Sequence, residues 1–416
     1  MKAAPGANIL FISYDGMTDP LGQSQVIPYL AELTKRGYRF TILSCDKPAK
    51  YAANKAYVEK LIAPYPIKWV SIPYHKNPPV FSSVYDFFSM RSMAVKLHKK
   101  EHFDIVHTRP GLPQLAALHL KKKYGVKFMN DIRGFWADER VDGGMWNLKN
   151  PLYKIIYNFF RSKEDECAAI ADYNTCLTYR GKEEILKWKN VPQPVKLEVV
   201  PCSVDLELFD PAKIDRPKKD QFRTELNIND GDFIVSYLGS IGGWYLTKEM
   251  LQFCSVLLRR KPEAKFLFIS NNNHQDIIDA AKEFGIPADS IMVKFGRRDE
   301  VPVLLSFSTY SLFFIKPCYS KLSSSPTKHG EIMAMGIPVI ANSGVGDVKE
   351  IVEKYNGGFV LDGFTHAEME AVVEQMMRPG LAFDRQKIRA GAEEFYDLYK
   401  TVDTYTTVYQ RMTGTA

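Results

Sequence analysis

IKPCYSKLSSSPTKHGEIMAMGIPVIANSGVGDVKE, residues 315–350, carries the clearest succession of turn, helix and strand signals in the chain. Pro326 stands where a short helix can begin, because a proline at the first helical position lacks only an N–H that would have no partner there. Gly336 can end that helix in the left-handed conformation that glycine tolerates. The apolar run IPVIA, residues 337–341, then predicts a buried strand. This order of elements is typical of a parallel α/β domain.

The start of this helix is predicted to bind phosphate. Lys316, Lys321 and Lys328 flank it, and free backbone N–H groups and cationic side chains converge at such a place. Glu331 lies one turn into the helix, where a carboxylate gains little from a phosphate. We expect it to accept hydrogen bonds from a hydroxyl pair such as a ribose diol. The alternative is an ordinary capped helix with a solvated glutamate, and the stretch alone leaves both open.

This stretch resembles the donor-nucleotide segment of glycosyltransferase family 4, in which a lysine-containing turn and a glutamate precede a GxPVIA strand. The resemblance implies that Lys321 and Lys328 neutralise the diphosphate of a nucleotide sugar, which makes Lys328 a catalytic candidate. It also implies that Glu331 holds the ribose. The turn that contains Gly344 and Gly346 is then expected to approach the donor phosphate and sugar through its backbone.

Length and composition limit the class of protein. A chain of 416 residues exceeds what one core serves, so two or three domains are expected. The content of 45% hydrophobic and 25% charged residues is that of an ordinary soluble protein, with no apolar run of membrane-spanning length and none long enough for a signal peptide before the first strand. Six scattered cysteines favour a reducing cytoplasm over disulfides or structural zinc. The net charge of +7 is compatible with phosphorylated substrates or an anionic membrane surface, and no nucleic-acid-binding module is recognisable.

The first half of the chain opens as a doubly wound parallel sheet. A buried strand at 8–13 is followed by a loop, a helix from about residue 23 to 36 and a strand at 39–44. Gly22 stands where the loop meets the helix, and family 4 members carry a glycine at the matching place, so Gly22 and Gln23 are predicted to bind the donor. The alternative is a plain turn glycine. The GxGxxG dinucleotide fingerprint is absent.

The segment NDIRGFWADERVDGGMW, residues 130–146, follows a predicted strand and so lies at the sheet edge where ligands bind. In the family a residue after this strand, often histidine, approaches the reacting sugar. The matching place here is 131–134, which contains no histidine, and Asp131 and Arg133 become the catalytic candidates.

The same segment is predicted to bind the acceptor. Trp136 offers a ring that can stack on the apolar face of a sugar, and Asp138 and Glu139 offer carboxylates for its hydroxyl groups. The alternative is a salt-bridged surface loop.

Residues 84–103 are predicted to form a helix with an apolar and a basic face. The apolar face comprises Val84, Phe87, Phe88 and Val95, and the basic face comprises Lys96, Lys99 and Lys100. Such a helix can lie on an anionic membrane, and family 4 enzymes that act on lipid acceptors often use a basic, aromatic helix in this way. The alternative is a stripe that packs on the sheet beside solvated lysines.

The second half repeats the α/β pattern and departs from the family at two places. Gly239 ends a buried strand and opens a glycine-rich turn that can hold a diphosphate. Most family members have an arginine directly after that glycine, where this chain has Ser240. The family's first glutamate, eight positions before Glu331, is replaced by Ser323. Ser240 and Ser323 are nevertheless predicted to lie at the donor.

Together these features predict the GT-B fold, in which two Rossmann-like domains face each other across a cleft. We expect an acceptor-binding domain over 1–207, a donor-binding domain over 208–391, and a last helix, within 392–416, that returns to the first domain. The predicted activity is a cytoplasmic, retaining hexosyl or N-acetylhexosaminyl transfer from a nucleotide sugar, in polysaccharide or glycolipid synthesis, without metal or cofactor. The alternatives are another GT-B enzyme, such as a sugar-nucleotide epimerase or a phosphorylase, and a non-catalytic nucleotide-sugar-binding subunit.

Overall fold

The structure, a computed structural model, describes residues 6–414 and divides the chain into two compact units. One unit runs to Pro201 and takes in the residues from Leu398 onward, and the other spans Cys202–Asp397. The chain thus changes unit a few residues before the first predicted boundary, after residue 207, and a few residues beyond the second, after residue 391. Residues 1–5, part of the stretch behind the expectation that no signal peptide precedes the first strand, lie outside the described residues.

The first unit contains a parallel sheet of seven strands: β1 (Asn8–Ser13), β2 (Arg39–Asp46), β3 (Ile67–Pro73), β4 (Ile105–Thr108), β5 (Lys127–Ile132), β6 (Tyr173–Cys176) and β7 (Leu197–Val199). Their order is β3-β2-β1-β4-β5-β6-β7, with Ile9 of β1 opposite Phe40 of β2 and Ile105 of β4. The order reverses between β1 and β4. In such sheets the carboxyl ends of the strands at this reversal form the ligand-binding crevice.

Helices cover both faces of this sheet: α1 (Pro20–Gln25), α2 (Ile27–Lys35), α3 (Pro48–Ile62), α4 (Phe81–Glu101), α5 (Leu112–Tyr124), α6 (Trp136–Asp142), α7 (Pro151–Ile170) and α8 (Tyr179–Ile185). Ile9 and Phe11 contribute to a core shared with α2 and α3, whereas Leu10 and Ile12 contribute to a core shared with α4, α5 and α7. This alternation follows from the two-residue period of a strand that is buried on both faces.

The single helix predicted from about residue 23 to 36 is two helices. The chain breaks between α1 and α2 at Val26, which has φ −129° and ψ −63°. Pro28 explains the break, because it has no N–H to donate to the previous turn and its ring would clash with the carbonyl group there.

The apolar and basic faces predicted for residues 84–103 are not separate faces of α4. Val95 packs into the core, and the large exposed apolar side chains lie in the first half of the helix: Phe81, Val84, Tyr85 and Phe88. The exposed lysines lie in the second half: Lys96, Lys99 and Lys100. The apolar and the basic surfaces therefore follow one another along the helix.

The second unit contains a six-stranded parallel sheet: β8 (Ile234–Leu238), β9 (Lys265–Ile269), β10 (Ile291–Lys294), β11 (Tyr310–Leu312), β12 (Val339–Asn342) and β13 (Gly358–Leu361). Its order is β10-β9-β8-β11-β12-β13. The short edge strand β13 was not predicted. The two doubly wound parallel sheets predicted from the sequence are confirmed.

The helices of the second unit are α9 (Arg216–Glu225), α10 (Thr247–Arg260), α11 (His274–Lys282), α12 (Val301–Leu305), α13 (Thr327–Ala334), α14 (Val348–Tyr355), α15 (His366–Met376) and α16 (Arg385–Phe395). Short 3₁₀ helices lie at Pro211–Lys213, Ala288–Ser290 and Tyr319–Ser323. Within residues 6–414 we find no helix with both the length and the apolar character that a bilayer span requires.

The last predicted helix, from about residue 392 to 411, is also two helices. α16 ends at Phe395, and α17 (Leu398–Thr413) begins after a break at Tyr396 and Asp397. The break is held open by the backbone, because the Tyr396 carbonyl oxygen accepts a 2.7 Å hydrogen bond from the Val204 N–H. α17 belongs to the first unit, where it buries five apolar side chains: Val402, Tyr405, Val408, Tyr409 and Met412.

Candidate active site

The carboxyl end of β8 meets the start of α13 in the second unit, and Lys328 lies between them. The Lys328 side chain is buried, with Nζ 3.3 Å from Tyr237 Oη and 3.7 Å from the ring centroid of Tyr245. This burial lowers the pKa of Lys328 to about 7, although the nearby Glu331 carboxylate favours the charged form. An anionic ligand that reached this ammonium group would favour its charged form strongly, because little water screens the pair.

The glycine-rich turn after β8 reaches the same lysine. Gly239 has φ +123°, and a Cβ at this position would lie 2.8 Å from Lys328 Nζ. Ser240 continues the turn, and its carbonyl oxygen accepts a 2.5 Å hydrogen bond from Tyr237 Oη. The structure therefore brings Gly239, Ser240 and Lys328 together at one place.

We expect Gly239→Ala to destabilise the protein more than Gly242→Ala does. Gly242 also has a positive φ, +76°, but a Cβ there meets no atom within 4 Å, so alanine adds only backbone strain. At Gly239 alanine adds a contact with Lys328 as well as strain, for a total cost of about 1–3 kcal/mol. Urea unfolding of both variants measures the difference. Equal costs would mean that the lysine moves away freely.

Lys321 lies against the other aromatic side chain of the glycine-rich turn. It belongs to the 3₁₀ helix Tyr319–Ser323, is buried, and places Nζ 3.8 Å from the ring centroid of Trp244. The Trp244 carbonyl oxygen accepts a 2.9 Å hydrogen bond from the Lys316 N–H, which fastens the turn to the strand end beside it. The sequence did not identify Trp244 and Tyr245 as the partners of the two lysines.

The turn that contains Gly344 and Gly346 packs on the same 3₁₀ segment. The Gly346 N–H donates a 2.8 Å hydrogen bond to the Lys321 carbonyl oxygen. Gly344 has φ +77°, and a Cβ there would lie 2.9 Å from Pro317 Cβ. Gly346 thus lies beside Lys321 and Gly344 beside Pro317, and the Gly346 amide is already used within the protein.

Glu331 is buried and paired with Arg298, which follows β10. This pairing excludes the alternative of a solvated glutamate on a capped helix. The Arg298 guanidinium lies 4.7 Å from the ring centroid of Phe209 and is partly exposed. Arg298 was not predicted as a site residue. Its position directly after Phe295-Gly296-Arg297, at the carboxyl end of a strand, was the feature of the sequence that could have identified it.

Ser323 is fully buried at the end of the 3₁₀ helix. Among residues 6–414 its hydroxyl group has no hydrogen-bond partner. A buried hydroxyl without a partner is costly unless another group or a ligand satisfies it. Ser323 therefore lies in the same 3₁₀ helix as Lys321, with a hydroxyl group that can still donate and accept a hydrogen bond.

Gly22 lies in the first turn of α1, close to the predicted junction of loop and helix. It is the third residue of α1, and a Cβ there would lie 2.6 Å from the Gly16 carbonyl oxygen and from Met17 Cα. The close approach of the preceding loop explains the glycine without a ligand. The Gln23 side-chain amide lies 3.4 Å from the Thr18 carbonyl oxygen, as a long hydrogen bond within the same loop.

Asp131 is fully buried in β5, away from solvent. Its carboxylate accepts hydrogen bonds from Thr175 Oγ1 at 2.8 Å and from Tyr405 Oη at 3.2 Å, and it lies 3.5 Å from His107 Nε2 and 3.4 Å from Arg133 Nη1. Burial alone would raise the pKa of Asp131, but the cationic Arg133 and the neighbouring His107 hold it well below its usual range. These contacts tie the sheet to α17 and keep the Asp131 carboxylate away from solvent, so the geometry gives no support to the catalytic role predicted for Asp131 and Arg133.

Trp136, Asp138 and Glu139 begin α6 at the carboxyl end of β5. The Trp136 ring stacks on the Arg140 guanidinium at 3.6 Å and packs 4.7 Å from the Phe160 ring. The Asp138 carboxylate accepts a 2.8 Å hydrogen bond from Tyr157 Oη, and burial raises the pKa of Asp138. Arg140 therefore covers one face of the Trp136 ring, and Tyr157 engages one of the two oxygens of the Asp138 carboxylate.

Arg109 at the end of β4 was not predicted. The side chain is buried, and among residues 6–414 its Nε and Nη1 atoms have no hydrogen-bond partner. Nε lies 3.6 Å from the partly exposed Asp15 carboxylate, at the point where the strand order reverses. A guanidinium group with unused donors at this edge can bind an anionic or hydroxyl-rich ligand.

Two family models match the chain. The model described as Glycosyltransferase Family 4 matches residues 22–208, and the model described as Glycosyl transferases group 1 matches residues 218–394. The second match contains the Lys328 and Glu331 helix. The chain belongs to the family 4 type of glycosyltransferases.

Similar proteins include enzymes of this class. A relative from Escherichia coli, UDP-Gal:alpha-D-GlcNAc-diphosphoundecaprenol alpha-1,3-galactosyltransferase, is 22% identical over 338 residues, which cover 79% of this chain and 80% of the relative. A glycosyltransferase structure from Rickettsia africae has a TM-score of 0.71 at 16% identity and covers 99% of this chain and 100% of its own. The Anabaena protein HepE, in complex with UDP and glucose, has a TM-score of 0.67 at 13% identity, with 97% and 99% covered. The fold is GT-B.

The geometry accounts for one departure from the family 4 pattern. Where most members have an arginine directly after the first glycine, this glycosyltransferase has Ser240, and the nearest lysine in sequence, Lys248, is exposed. The cation beside Gly239 comes instead from Lys328 of α13. The charge that the family places on the turn is supplied here by the facing helix.

Proposed function

We propose that this glycosyltransferase moves a hexosyl residue from a UDP-sugar to a lipid-linked saccharide, with retention of the anomeric configuration. The observation that carries the donor proposal is the buried Lys328 ammonium group enclosed by Tyr237, Tyr245 and Gly239. A lysine whose charge is disfavoured by burial is ready to be charged by an arriving diphosphate. UDP is the first nucleotide to test because the E. coli relative is named for UDP-Gal and HepE was solved with UDP.

In this proposal the donor spans the cluster from Glu331 to Lys321. Glu331, oriented by Arg298, accepts hydrogen bonds from the ribose diol, and Lys328 and Lys321 neutralise the two phosphates. The Ser323 hydroxyl group, which has no partner within the described chain, donates to the sugar or the phosphate beside it. The protein thereby positions the donor and stabilises the leaving diphosphate, and it supplies no nucleophile of its own.

The proposed reaction needs no metal or cofactor held by the protein. Two lysines placed at the diphosphate do the work that a divalent cation does in other phosphate sites. We expect full activity in excess EDTA, measured as release of UDP. Retention is proposed from membership of the family 4 type, and NMR of the anomeric proton of the product tests it.

On the acceptor side, Trp136 and Arg109 are the proposed contacts. Trp136 lies at the start of α6, and Arg109 lies at the strand-order reversal, both at the carboxyl edge of the first sheet. The first half of α4, with Phe81 75% exposed, is the proposed peripheral contact with the membrane that carries the acceptor. Synthesis of a polysaccharide or glycolipid at the inner face of the cytoplasmic membrane is the proposed setting.

Glu331→Gln is expected to weaken UDP binding about 10- to 100-fold, because a charged hydrogen-bond acceptor for the ribose is lost. UDP at a hundred times its Kd should stabilise the wild-type protein by about 2.7 kcal/mol. A thermal-shift titration with UDP, GDP and ADP measures both effects and selects the base.

Glu300→Gln is the matched control. Glu300 pairs with the neighbouring Arg297, 3.3 Å away, and the substitution removes a carboxylate from the same loop region without touching the Lys328 cluster. Glu300→Gln should leave the affinity for UDP in this titration unchanged. If UDP, GDP and ADP all fail to stabilise the wild-type protein, the donor-site proposal is wrong.

A further inference from the structure

We infer that the first half of α7, with the residues just before it, joins the first half of α4 in one surface that docks on an anionic lipid bilayer. The inference rests on the proposed function only in taking the acceptor to be lipid-linked. It adds a second helix, α7, for which no membrane contact was predicted from the sequence.

The start of α7 exposes large apolar side chains on one side. Ile155 is 67% exposed, and Leu152 and Phe159, three residues before and four after it, lie on the same helical face. Met145 and Leu148 extend this surface into the turn before the helix. We call these five residues the α7 patch. A contiguous exposed group of this kind marks a contact surface.

The exposed lysines nearest the α7 patch are Lys149 and Lys154. Residues 143–163 contain no acidic residue, and their other two cations are paired with acids that follow, Arg161 with Glu164 and Asp165 and Lys163 with Glu166. Around α4, residues 75–100 contain only one acidic residue, Asp86, which is buried and accepts a 2.8 Å hydrogen bond from Tyr14 Oη. Exposed apolar side chains flanked by exposed lysines fit the interface of an anionic bilayer.

Both helices present their apolar halves at the same edge of the first unit. α4 packs on α5 and α5 packs on α7, so the three helices form one layer over the sheet. α4 follows β3, and α7 follows β5 and α6. Because all strands of the sheet are parallel, helices that return the chain to the next strand begin at the carboxyl edge. The exposed apolar starts of α4 and α7 therefore flank α5 at the ligand-binding edge.

The α7 patch is continuous with the candidate acceptor site. Trp146, which directly follows Met145, lies 5.6 Å from the Trp136 ring and 5.9 Å from the Phe160 ring of α7. Trp136 is the proposed sugar contact at the start of α6. A bilayer against the α7 patch would thus bring the head-group end of a lipid-linked saccharide to Trp136.

Charge selects the bilayer over a second copy of the chain. Two copies meeting through this surface would place lysines against lysines, which disfavours association. An anionic bilayer offers the complementary charge and an apolar interior for the exposed side chains. Each lysine near such a surface contributes to binding, and added salt weakens the contribution.

Flotation of the full chain with vesicles tests the inference. Vesicles of phosphatidylcholine with 30% phosphatidylglycerol should bind the wild-type protein, and pure phosphatidylcholine vesicles should bind it more weakly. Ile155→Glu and Phe88→Glu should each lower the partition coefficient about tenfold or more, because each removes an apolar side chain and adds a repelled charge. Tyr57→Glu, at an exposed aromatic of α3 on the opposite face of the sheet, should not change it.

UDP titrations on the same variants separate this inference from the proposed function. Unchanged UDP binding in Ile155→Glu together with lost vesicle binding supports the docking surface. Wild-type binding to vesicles without any response to UDP would keep the docking surface and contradict the donor site. Vesicle binding that survives Ile155→Glu, or no binding by the wild type, overturns the inference. Light scattering that shows a dimer lost in Ile155→Glu, without vesicle binding, assigns the surface to a second copy instead.

Discussion

Lys328→Met is expected to lower kcat/KM for sugar transfer about 10²- to 10³-fold, the loss seen when one preorganised group that stabilises a developing charge is removed. The same substitution should make the protein more stable at neutral pH. Methionine is close to lysine in length and places an apolar side chain among Tyr237 and Tyr245, where the ammonium group is buried at a cost. Loss of activity with gain of stability is the pattern of a residue kept for function.

The pH dependence of the free energy of unfolding tests whether burial of the charged Lys328 side chain destabilises the protein. Burial lowers its pKa to about 7 in the folded protein, against about 10.4 in the unfolded chain. Between these values the unfolded chain binds more protons, so this group makes stability rise with pH, by at most about 1.4 kcal/mol per pH unit. Below pH 7 the lysine is charged in both states and its cost is constant. Urea unfolding between pH 6.5 and 9 should show the rise in the wild type and a smaller one in Lys328→Met.

The affinity for the donor, in contrast to the stability, should fall as the pH rises. Above pH 7 the free enzyme loses the Lys328 charge, so UDP must bring a proton with it and binds more weakly, by up to about tenfold per pH unit. Lys248→Met is the control, because this exposed lysine of α10 carries the same charge near the same turn. It should change neither transfer nor the pH profile. Transfer by Lys328→Met within tenfold of the wild type would refute the role given to this lysine.

The sequence predicted the sheets well because their strands are short apolar runs bounded by turn residues. It failed where a local signal opposed the general pattern. The helix over 23–36 breaks because of Pro28, and the helix over 392–411 breaks because the Tyr396 carbonyl group bonds to Val204 from a distant part of the chain. The first break could be read from the sequence, whereas the second depends on a contact that only the folded unit provides.

The residues of the candidate site likewise fall into those that the sequence predicted and those that only the fold brings together. Lys321, Lys328 and Glu331 were predicted because a family pattern and a helix start coincide in one short stretch. Trp244, Tyr245 and Arg298, which contact these residues, come from the loops after β8 and β10 and carry no pattern of their own. The burial of Asp131 could not be predicted from the sequence either. Asp131 follows the pattern of an exposed loop carboxylate, yet it faces His107 of the neighbouring strand and Tyr405 of the last helix.

Asp131→Asn is expected to destabilise the first unit by about 3–5 kcal/mol, because it removes the buried negative charge that faces the Arg133 guanidinium at 3.4 Å. The amide also accepts less well from Tyr405 and Thr175, and so loosens the attachment of α17 to the sheet. Chemical unfolding measures the change. Asp403→Asn is the matched control on α17, because its pair with Arg36 is exposed and contributes about 1 kcal/mol or less.

The same variant decides between packing and catalysis for Asp131. A carboxylate that only holds α17 in place should leave kcat close to the wild-type value at a temperature where Asp131→Asn is still folded. A carboxylate that takes part in proton transfer should instead lower kcat about 100-fold or more at that temperature. The buried geometry favours the first result, because the four groups around Asp131 already occupy both oxygens of its carboxylate. A large loss of kcat with unchanged stability would restore Asp131 to the reacting sugar and require that the edge of the first sheet open during transfer.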